Sequence, residues 1–513
     1  MMKPLEQLRR DAKALKKAYE ANDLHARQRV ANHPPRAEGT LLKHADYLHV
    51  IARENSFASW PALKRAVELD GLDLAGRRQR LKTAVFNGHS HVVQQLLSED
   101  PDPASGHLGL EIALYRRDAV FQTLAQDPAT ATRDIGGRAP LCHLAFSKYV
   151  HMRSDLTSDM LEIADRLLAL GADPNASVAV APDNDHQLSA LYGAIGHANN
   201  MPLARWLLEH GANPNDGESL YHSTELGHHE GLKMLLQHGA DPTGTNALLR
   251  AMDFNDHTAV ALLIAAGAQV DEFNGAHVGG ERPWVVPALH QAARRMSDQQ
   301  MITLLLDAGA DPTAVFEGCT AYGFARVFGN QVLSKAIEQR GVAPALTSDE
   351  RLLAMAADGR DVGPARVVPE KLPPAYRTII RSILHLPGKL DHIRKLVELG
   401  LEFDAPDSEG LTPVQVAGWE GLPDVMAFLL SLGPDLTHQN GYGGSLLSTI
   451  LHGSENAPMR ASRDHVKCLR LALQAGVPVP RRAPEVAGVP ELAEMLADWC
   501  DTHPDRVVEG GAV

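Results

Sequence analysis

The sequence predicts an all-α solenoid built from repeated helix–turn–helix units. The clearest unit, residues 287–313, reads PALHQAARRMSDQQMITLLLDAGADPT. Leu289, Ala292 and Ala293 share one face of a first short helix at i, i+3 and i+4 spacing. A second helix, which ends before Gly309, repeats this pattern with Ile302, Leu305 and Leu306. Neither helix can bury its apolar stripe alone, so copies of the unit must stack on one another.

A turn signal follows the second helix of each clear unit. Gly309 stands where a left-handed C-cap would end that helix, and Asp311 with Pro312 begins a turn. Successive units close at Gly171, Gly211, Gly239, Gly267 and Gly309. Their spacing of about 28 to 42 residues is typical of a repeat protein.

Residues 287–313 resemble an ankyrin repeat. Ala288-Leu289-His290 matches the T-P-L-H-x-A opening of that repeat, and the Gly-Ala-Asp-Pro ending closes a helix–turn–helix unit like its unit of about 33 residues. The resemblance extends over about 400 residues and about 12 units. The chain departs from the pattern in places, since Thr-Pro is intact only at Thr412-Pro413 and the first two units lack Gly-Ala-Asp. The resemblance implies protein–protein recognition, because ankyrin repeats generally bind partner proteins.

The repeat pattern predicts five segments along the chain. They are an N-terminal helical cap at 1–69, a repeat stack at 76–345, a second and less regular stack at 346–480, a C-terminal capping helix at 484–501 and a flexible tail at 502–513. The join around Pro369, Pro373 and Pro374 is the best candidate for a bend between two sub-stacks. Three repeats are lengthened, at 148–159, 271–286 and 454–463.

The N-terminal segment lies outside the repeat pattern. Its first helix carries an apolar stripe made of Leu5, Leu8, Ala12, Leu15 and Tyr19. Residues 57–64 read FASWPALK, in which Ser59 is a candidate N-cap and Pro61 falls in the first helical turn. This motif resembles the segment that precedes the repeats in many bacterial ankyrin proteins. We interpret it as a cap that shields an apolar repeat face, the alternative being a separate binding role.

The composition excludes several classes of function. A formal charge of -14 argues against nucleic acid as the main ligand. The four cysteines are far apart and never in C-x-x-C spacing, so a reducing compartment is expected. The N-terminus lacks the apolar run of a signal peptide, and no stretch approaches 18 consecutive apolar residues. The sequence therefore predicts a cytoplasmic protein that does not bind membranes.

Catalytic and cofactor motifs are missing from the sequence. Most of the 25 histidines fall at repeat turns or helix ends, where the ring can bond free backbone groups, and His229-Glu230 lacks the second histidine of H-E-x-x-H. The glycine-rich residues 441–445 follow no strand and fit a tight turn better than a nucleotide cradle. No phosphate loop and no G-x-S-x-G motif occurs. We expect no enzyme activity, no metal and no cofactor.

Candidate binding residues come from the resemblance to ankyrin repeats. In that family, two positions between the first helix and the following turn point into the concave groove and vary among partners; we call them groove positions. Here the candidates are Phe86, Tyr115, Phe146, Phe254, Arg294, Arg295, Phe328, Trp419, Glu420 and His452. Trp284, in the lengthened hairpin, is a further candidate contact. The alternative is that each ring packs on its own helix or on the neighbouring repeat.

The resulting hypothesis is a non-catalytic scaffold that binds an unidentified partner protein through its groove and hairpin loops. One rival is an enzyme or small-molecule binder with a pocket formed by the insertions at 148–159, 271–286 and 454–463. Another is a self-associating structural protein. The sequence leaves both the partner and the oligomeric state open.

Overall fold

The computed structural model describes residues 3–36, 42–57, 60, 63–64, 67, 72–98, 102–180, 186–275, 285–407, 409–457 and 459–509. The chain divides into two compact units. The central unit contains residues 72–325 and 329–345, and the split unit contains residues 1–71, 326–328 and 346–513. In the part of the chain that is described, no helix has both the length and the apolar character needed to cross a membrane.

The central unit is a succession of short helices joined in antiparallel pairs. The helices are Leu74–Asn87, Ser90–Leu97, Leu108–Ala113, Arg117–Gln126, Pro140–Ala145, Thr157–Ala169, Ala190–Tyr192, Met201–Glu209, Ser219–Ser223, Glu230–Gln237, Ala247–Asp253, His257–Ala265, Ala288–Arg294, Gln299–Asp307, Ala321–Phe328 (whose last three residues belong to the split unit) and Gln331–Gln339. Short 3-10 helices lie at Pro128–Ala131, Lys148–His151 and Ser154–Leu156, and a π-helix at Gly193–His197 extends Ala190–Tyr192. The predicted helical repeat architecture is confirmed.

The glycines predicted to close the repeats adopt the left-handed conformation. Gly171, Gly211, Gly239, Gly267 and Gly309 have φ angles between 86° and 103°. At each of them the next residue returns a hydrogen bond to the helix, as where the Ala310 N–H donates to the Leu305 carbonyl at 3.0 Å. This bond satisfies a carbonyl that the helix end would otherwise leave free.

Side chains in the hairpins tie successive repeats together. The backbone N–H of Asn213 donates to Oδ1 of Asn175 at 2.7 Å, and the N–H of Asp241 donates to Oδ1 of Asn215 at 2.7 Å. The amide groups of Asn175 and Asn215 also donate to the carbonyls of the glycines that close the following repeats. These bonds fix the register of one repeat against the next.

Two of the hairpins form short antiparallel strand pairs. Ser177–Ala179 pairs with Gln187–Ser189, and Val315–Phe316 pairs with Cys319–Thr320. The insertion at 148–159 becomes the 3-10 helices Lys148–His151 and Ser154–Leu156 and the start of the next helix. Most of the insertion at 271–286, including Trp284, lies outside the described residues.

The split unit combines the N-terminal helices with the later repeats. Its helices are Leu5–Glu20, Leu24–Asn32, His44–Glu54, Ser348–Ala357, Pro374–Arg377, Ile379–Ile383, Leu390–Glu398, Pro413–Trp419, Pro423–Ser431, Leu446–Asn456, His465–Ala475, Ala483–Val486 and Pro490–Thr502. Single 3-10 turns lie at Pro369–Lys371, Arg460–Ser462 and Pro504–Arg506. The insertion at 454–463 forms the end of Leu446–Asn456 and the turn Arg460–Ser462.

The N-terminal block packs against the C-terminal helix of the same unit. Leu8, Ala12 and Leu15 are buried where the first and third helices meet, as their spacing predicts. Nη2 of Arg36 donates to Glu494 at 3.0 Å, a residue of the helix Pro490–Thr502. The predicted N-cap Ser59 and the proline after Trp60 lie outside the described residues, so the capping role of residues 1–69 stays a prediction.

At the proline-rich join at 369–374, Leu372 and Tyr376 are buried and the Tyr376 hydroxyl donates to Glu350 at 3.0 Å. The bend between two sub-stacks stays a prediction. The predicted tail is ordered as far as residue 509, because Val507–Val508 pairs in parallel with Val479–Pro480. Leu372 and Tyr376 are therefore part of the core, whereas Val507 is half-buried and Val508 is 37% exposed.

Candidate functional site

The structure sorts the predicted groove positions by exposure. The exposed side chains are Phe254 and His452; the half-buried ones are Phe86, Arg295, Trp419 and Glu420; the buried ones are Tyr115, Phe146, Arg294 and Phe328. The last four side chains fit the alternative, in which a side chain at a groove position packs within the repeats. The remaining candidate, Trp284, lies outside the described residues.

Phe146 is buried because aromatic rings from different repeats fill the groove around it. The rings of Phe86 and Phe146 lie nearly parallel with centroids 6.2 Å apart, and His197 lies 4.0 Å from Phe86. Nε2 of His197 donates to the Phe86 carbonyl at 2.9 Å, while burial lowers the pKa of His197 to about 4. A Cβ on Gly193 would lie 2.7 Å from the Phe146 ring, so only glycine leaves space for that ring.

Tyr115 is buried because the insertion at 148–159 covers it. Tyr149, in the 3-10 helix Lys148–His151, packs edge-on against the Tyr115 ring at 5.5 Å. Burial raises the pKa of Tyr115 to about 12. Nε2 of His151 donates to the Ala198 carbonyl at 2.6 Å and fastens the insertion to a later repeat. This insertion therefore occupies the groove instead of overhanging an open pocket.

Arg294 and Phe328 are buried for separate reasons. Every residue of the helix Ala288–Arg294 is buried, and Nε of Arg294 donates to the Gln291 side chain within it. Burial lowers the pKa of the Arg294 guanidinium to about 9. In the split unit, Phe328 has no exposed surface and its carbonyl accepts a hydrogen bond from Nζ of Lys389 at 2.8 Å. Neither side chain is available to a partner in this structure.

A network of charged side chains follows the aromatic rings along the central unit. The His222 ring lies between Glu218 and Glu225, with nitrogen–oxygen distances of 3.3 and 2.8 Å. Arg250 continues the network, since its guanidinium contacts Glu225 at 2.8 Å and Asp253 at 2.9 Å. Burial alone would lower the pKa of His222, but the two carboxylates outweigh it and raise the pKa to about 9.

Arg295, at its groove position, ends this network with Nε 2.7 Å from Asp253. Sequence reasoning missed the network, although Glu218 and His222 stand four residues apart, the spacing at which two side chains meet on one helix. Glu218 is almost fully buried and also lies 2.6 Å from Nε2 of His186.

Phe254 is an exposed aromatic ring at one of the candidate groove positions. Its side chain is 52% exposed, and the Arg250 guanidinium lies 5.0 Å from the ring centroid. Because Arg250 is itself held by Glu225 and Asp253, the ring rests on a fixed cation.

Trp419 forms a second candidate surface in the split unit. Val414, Ala417 and Gly418 are buried as predicted, and Trp419 is half-buried one residue later. Its ring lies 5.0 Å from the exposed His452 ring. The adjacent Glu420 carboxyl has a raised pKa because burial disfavours its charged form.

The histidines and cysteines do not form a metal centre in the part of the chain that is described, where no group of three candidate ligands occurs. At the repeat ends, Nδ1 of His210 donates to the Trp206 carbonyl at 2.7 Å, and Nδ1 of His238 donates to the Met234 carbonyl at 2.8 Å. Burial raises the pKa of Cys142 and Cys468 to about 12, so neither thiol is activated as a nucleophile.

Stacked helix pairs closed by left-handed glycines and linked by Asn and Asp side chains define an all-α ankyrin-repeat solenoid. The chain contains ankyrin repeats: a family profile described as "Ankyrin repeats (3 copies)" matches residues 156–246 and 191–274, and one described as "Ankyrin repeat" matches residues 287–315.

Curated relatives match only a short part of the chain. "Protein phosphatase 1 regulatory subunit 27" of Homo sapiens and that of Mus musculus are each 36% identical over 58 residues, which is 11% of this chain and 38% of the relative. The chain thus spans well under half the length of these relatives.

Three solved structures similar to this chain are ankyrin repeat domains. The human ASB11 domain is 22% identical, covers 46% of this chain and 99% of that chain, and gives a TM-score of 0.34. A domain from Acinetobacter baumannii AYE is 28% identical, with 38% and 98% coverage and a TM-score of 0.29. The domain of Bcl-3 is 21% identical, with 47% and 100% coverage and a TM-score of 0.33.

Proposed function

We propose that the chain is a non-catalytic scaffold that binds a partner protein through exposed groove positions and hairpin loops. The ankyrin repeats support this, because such repeats are generally protein–protein interaction modules. The name of the curated relatives is that of a phosphatase regulatory subunit, which is likewise a protein-binding role. We also propose that the protein is cytoplasmic and that residues 57–64 correspond to the motif that precedes the repeats in bacterial ankyrin proteins.

The exposure of Phe254 is the observation that carries the proposal. An aromatic ring that is 52% exposed contributes little to folding, yet Arg250 holds it at 5.0 Å. A ring already fixed in place loses little side-chain entropy when a partner covers it. Aromatic and arginine side chains are also the groups in which interface binding energy concentrates. Phe254 and Arg250 together therefore provide a preorganised contact.

The competing small-molecule hypothesis finds no support at the insertion nearest the groove. Residues 148–151 fold into a 3-10 helix whose Tyr149 is buried against Tyr115. Tyr149 fills the space over Tyr115, so residues 148–159 line no pocket there. The scaffold hypothesis needs only that some of the later groove positions stay open, as Phe254 and His452 do.

The test is affinity capture from the source cell extract with the full-length wild-type chain and two variants. Phe254→Ala removes the proposed contact. Leu24→Ala is the matched control, because Leu24 is 84% exposed and lies in the N-terminal block outside every repeat. We expect a protein that wild type and Leu24→Ala both retain and that binds Phe254→Ala about 30-fold more weakly, the effect of losing about 2 kcal/mol at a hot spot.

The captured protein is then purified, and its dissociation constant for each chain is measured by calorimetry. Circular dichroism verifies that Phe254→Ala keeps the wild-type fold. Equal affinity of all three chains for every retained protein would refute a partner site at Phe254.

A further inference from the structure

A cavity of about 320 Å³ opens among the first repeats of the central unit. Its walls come from three elements: the helix Leu74–Asn87, the helix Leu108–Ala113, and the segment that leads from Gly136 into the helix Pro140–Ala145. The volume falls within the range of small-ligand sites, about 300–1,000 Å³. It is therefore large enough for a group of several atoms.

The charges around this cavity are all of one sign. Lys82 and Arg138 line it, and none of its lining residues is Asp or Glu, in a chain with 63 acidic and 49 basic residues. Across the residues that the structure describes, neither cation has a carboxylate oxygen within ion-pair distance. Two cations that share a partly enclosed space without a counter-ion attract an anion.

His143 adds polarity to the wall without adding charge. Its Nε2 donates to the Ile135 carbonyl at 2.8 Å, which leaves Nδ1 as an acceptor. Burial, followed by the nearby charges of Arg138 and Lys82, lowers the pKa of His143 to about 4. The ring is thus neutral near pH 7, and the two cations alone set the sign of the site.

The part of the wall beside Arg138 is apolar. The parallel rings of Phe86 and Phe146 both line the cavity, with Val85, Leu110 and Ala113 beside them. The Arg138 guanidinium carbon lies 5.4 Å from the Phe86 centroid and 5.7 Å from the Phe146 centroid. A ligand that meets both surfaces needs an anionic end and an apolar body.

We propose that this cavity binds an organic carboxylate, with the carboxylate at Lys82 and Arg138 and an apolar body against Phe86 and Phe146. The guanidinium can receive a carboxylate through two parallel hydrogen bonds, and the ammonium of Lys82 acts as a point charge beside it. Inorganic anions fill only the charged end. The site is independent of the partner surface at Phe254, since a free acid can occupy it without any partner protein.

The probe is 3-phenylpropanoate, titrated into the full-length protein near pH 7.5 and followed by saturation-transfer NMR. Its neutral counterpart, 3-phenylpropanamide, has the same shape without the charge. We expect saturable binding of the acid, with about tenfold weaker binding of the amide, because a hydrogen bond to a charged group is lost. Inorganic phosphate should bind more weakly than the acid, because it lacks the apolar body.

Two variants test the location of the site. Lys82→Gln and Arg138→Gln should each weaken binding of the acid about tenfold. Lys233→Gln is the control, because Lys233 is an exposed lysine on the helix Glu230–Gln237 and does not line the cavity. Arg138 lies over two rings, whereas no ring of the described residues has Lys82 over it. Lys82→Gln therefore keeps the test valid if Arg138→Gln loses stability.

One further probe, the capped dipeptide acetyl-Phe-Glu-amide, distinguishes a carboxylate on a peptide from one on a free acid. Tighter binding of the dipeptide than of 3-phenylpropanoate indicates an acidic side chain delivered by a peptide segment, and the reverse order indicates a free acid. Either order supports the site. The proposal is overturned if the amide binds as well as the acid, if phosphate does so, or if Lys82→Gln and the control bind the acid equally.

Discussion

The early groove positions of the central unit and the later position Phe254 carry aromatic rings that have opposite fates. Phe86, Tyr115 and Phe146 pack against rings from other repeats, whereas Phe254 remains 52% exposed. Between the two regions lies the charged network around His222, which begins at the last ring of the packed region, Tyr192, at 5.0 Å.

The difference shows that a groove position is not in itself a contact position. Whether a ring there is free depends on what neighbouring repeats and insertions bring to the same space. In the early region Tyr149 and His197 fill that space, and in the late region the positively charged Arg250 supports one ring from the side and leaves its outer face open.

The largest expected effect is on folding stability in the packed region. Phe146→Ala should lower the free energy of unfolding by about 3–5 kcal/mol, the usual cost of removing a buried ring. Phe254→Ala should lower it by less than about 1 kcal/mol, as for other exposed positions. Urea unfolding of both variants, followed by circular dichroism, measures the difference. Similar losses in the two variants would remove the distinction between the regions.

The charged network should make stability depend on pH. The pKa of His222 is about 9 in the folded protein and about 6.5 in an unfolded chain. Its stabilising contribution is therefore fully present below pH 6.5 and is lost as the pH rises through about 9, up to about 3 kcal/mol. We expect the gap in unfolding free energy between wild type and His222→Gln to shrink by about this amount between pH 6 and pH 9.5.

The control for that experiment is His210→Gln, because His210 bonds a backbone carbonyl and not a carboxylate. Its gap from wild type should stay nearly constant over the same range. A constant gap for His222→Gln as well would mean that Glu218 and Glu225 do not hold a protonated ring.

The smallest effect is expected at Trp419, whose ring is half-buried beside His452. Trp419→Ala should lower the free energy of unfolding by about 1 kcal/mol. This is more than the loss expected for an exposed ring and less than that for a buried ring. A double-mutant cycle with His452→Ala should give a coupling energy of about 0.5–1.5 kcal/mol, because the two rings lie 5.0 Å apart. No coupling, together with a loss of about 3 kcal/mol or more, would place Trp419 in the core.

The repeat architecture was readable from the sequence because its determinants are local. Leu289, Ala292 and Ala293 are fully buried, and Gly309 adopts the left-handed conformation, as the spacing within 27 residues predicts. Helix periodicity and a terminal glycine act within one unit and need no knowledge of its neighbours. Only the exact limits of the stripes shift, as where Met301 is buried and Leu306 is only half-buried.

The candidate site was less predictable because its determinants are distant in sequence. His197 lies 111 positions from Phe86, whose carbonyl it bonds, and no local pattern connects the two. The cavity cations Lys82 and Arg138 likewise come together only when the repeats stack. The four-residue spacing between Glu218 and His222 was a local signal for the network, and it could have been read from the sequence.

The contact between the N-terminal block and the C-terminal helix affects the order in which parts of the chain fold during synthesis. Arg36 and Glu494, which bond at 3.0 Å, are separated by 458 positions. At a synthesis rate of about 5–20 residues per second, roughly 20 to 90 seconds pass between the synthesis of Arg36 and that of Glu494. The ribosome completes residues 72–325 of the central unit during that interval. Arg36 therefore reaches its contact with Glu494 only after residues 72–325 have been synthesised.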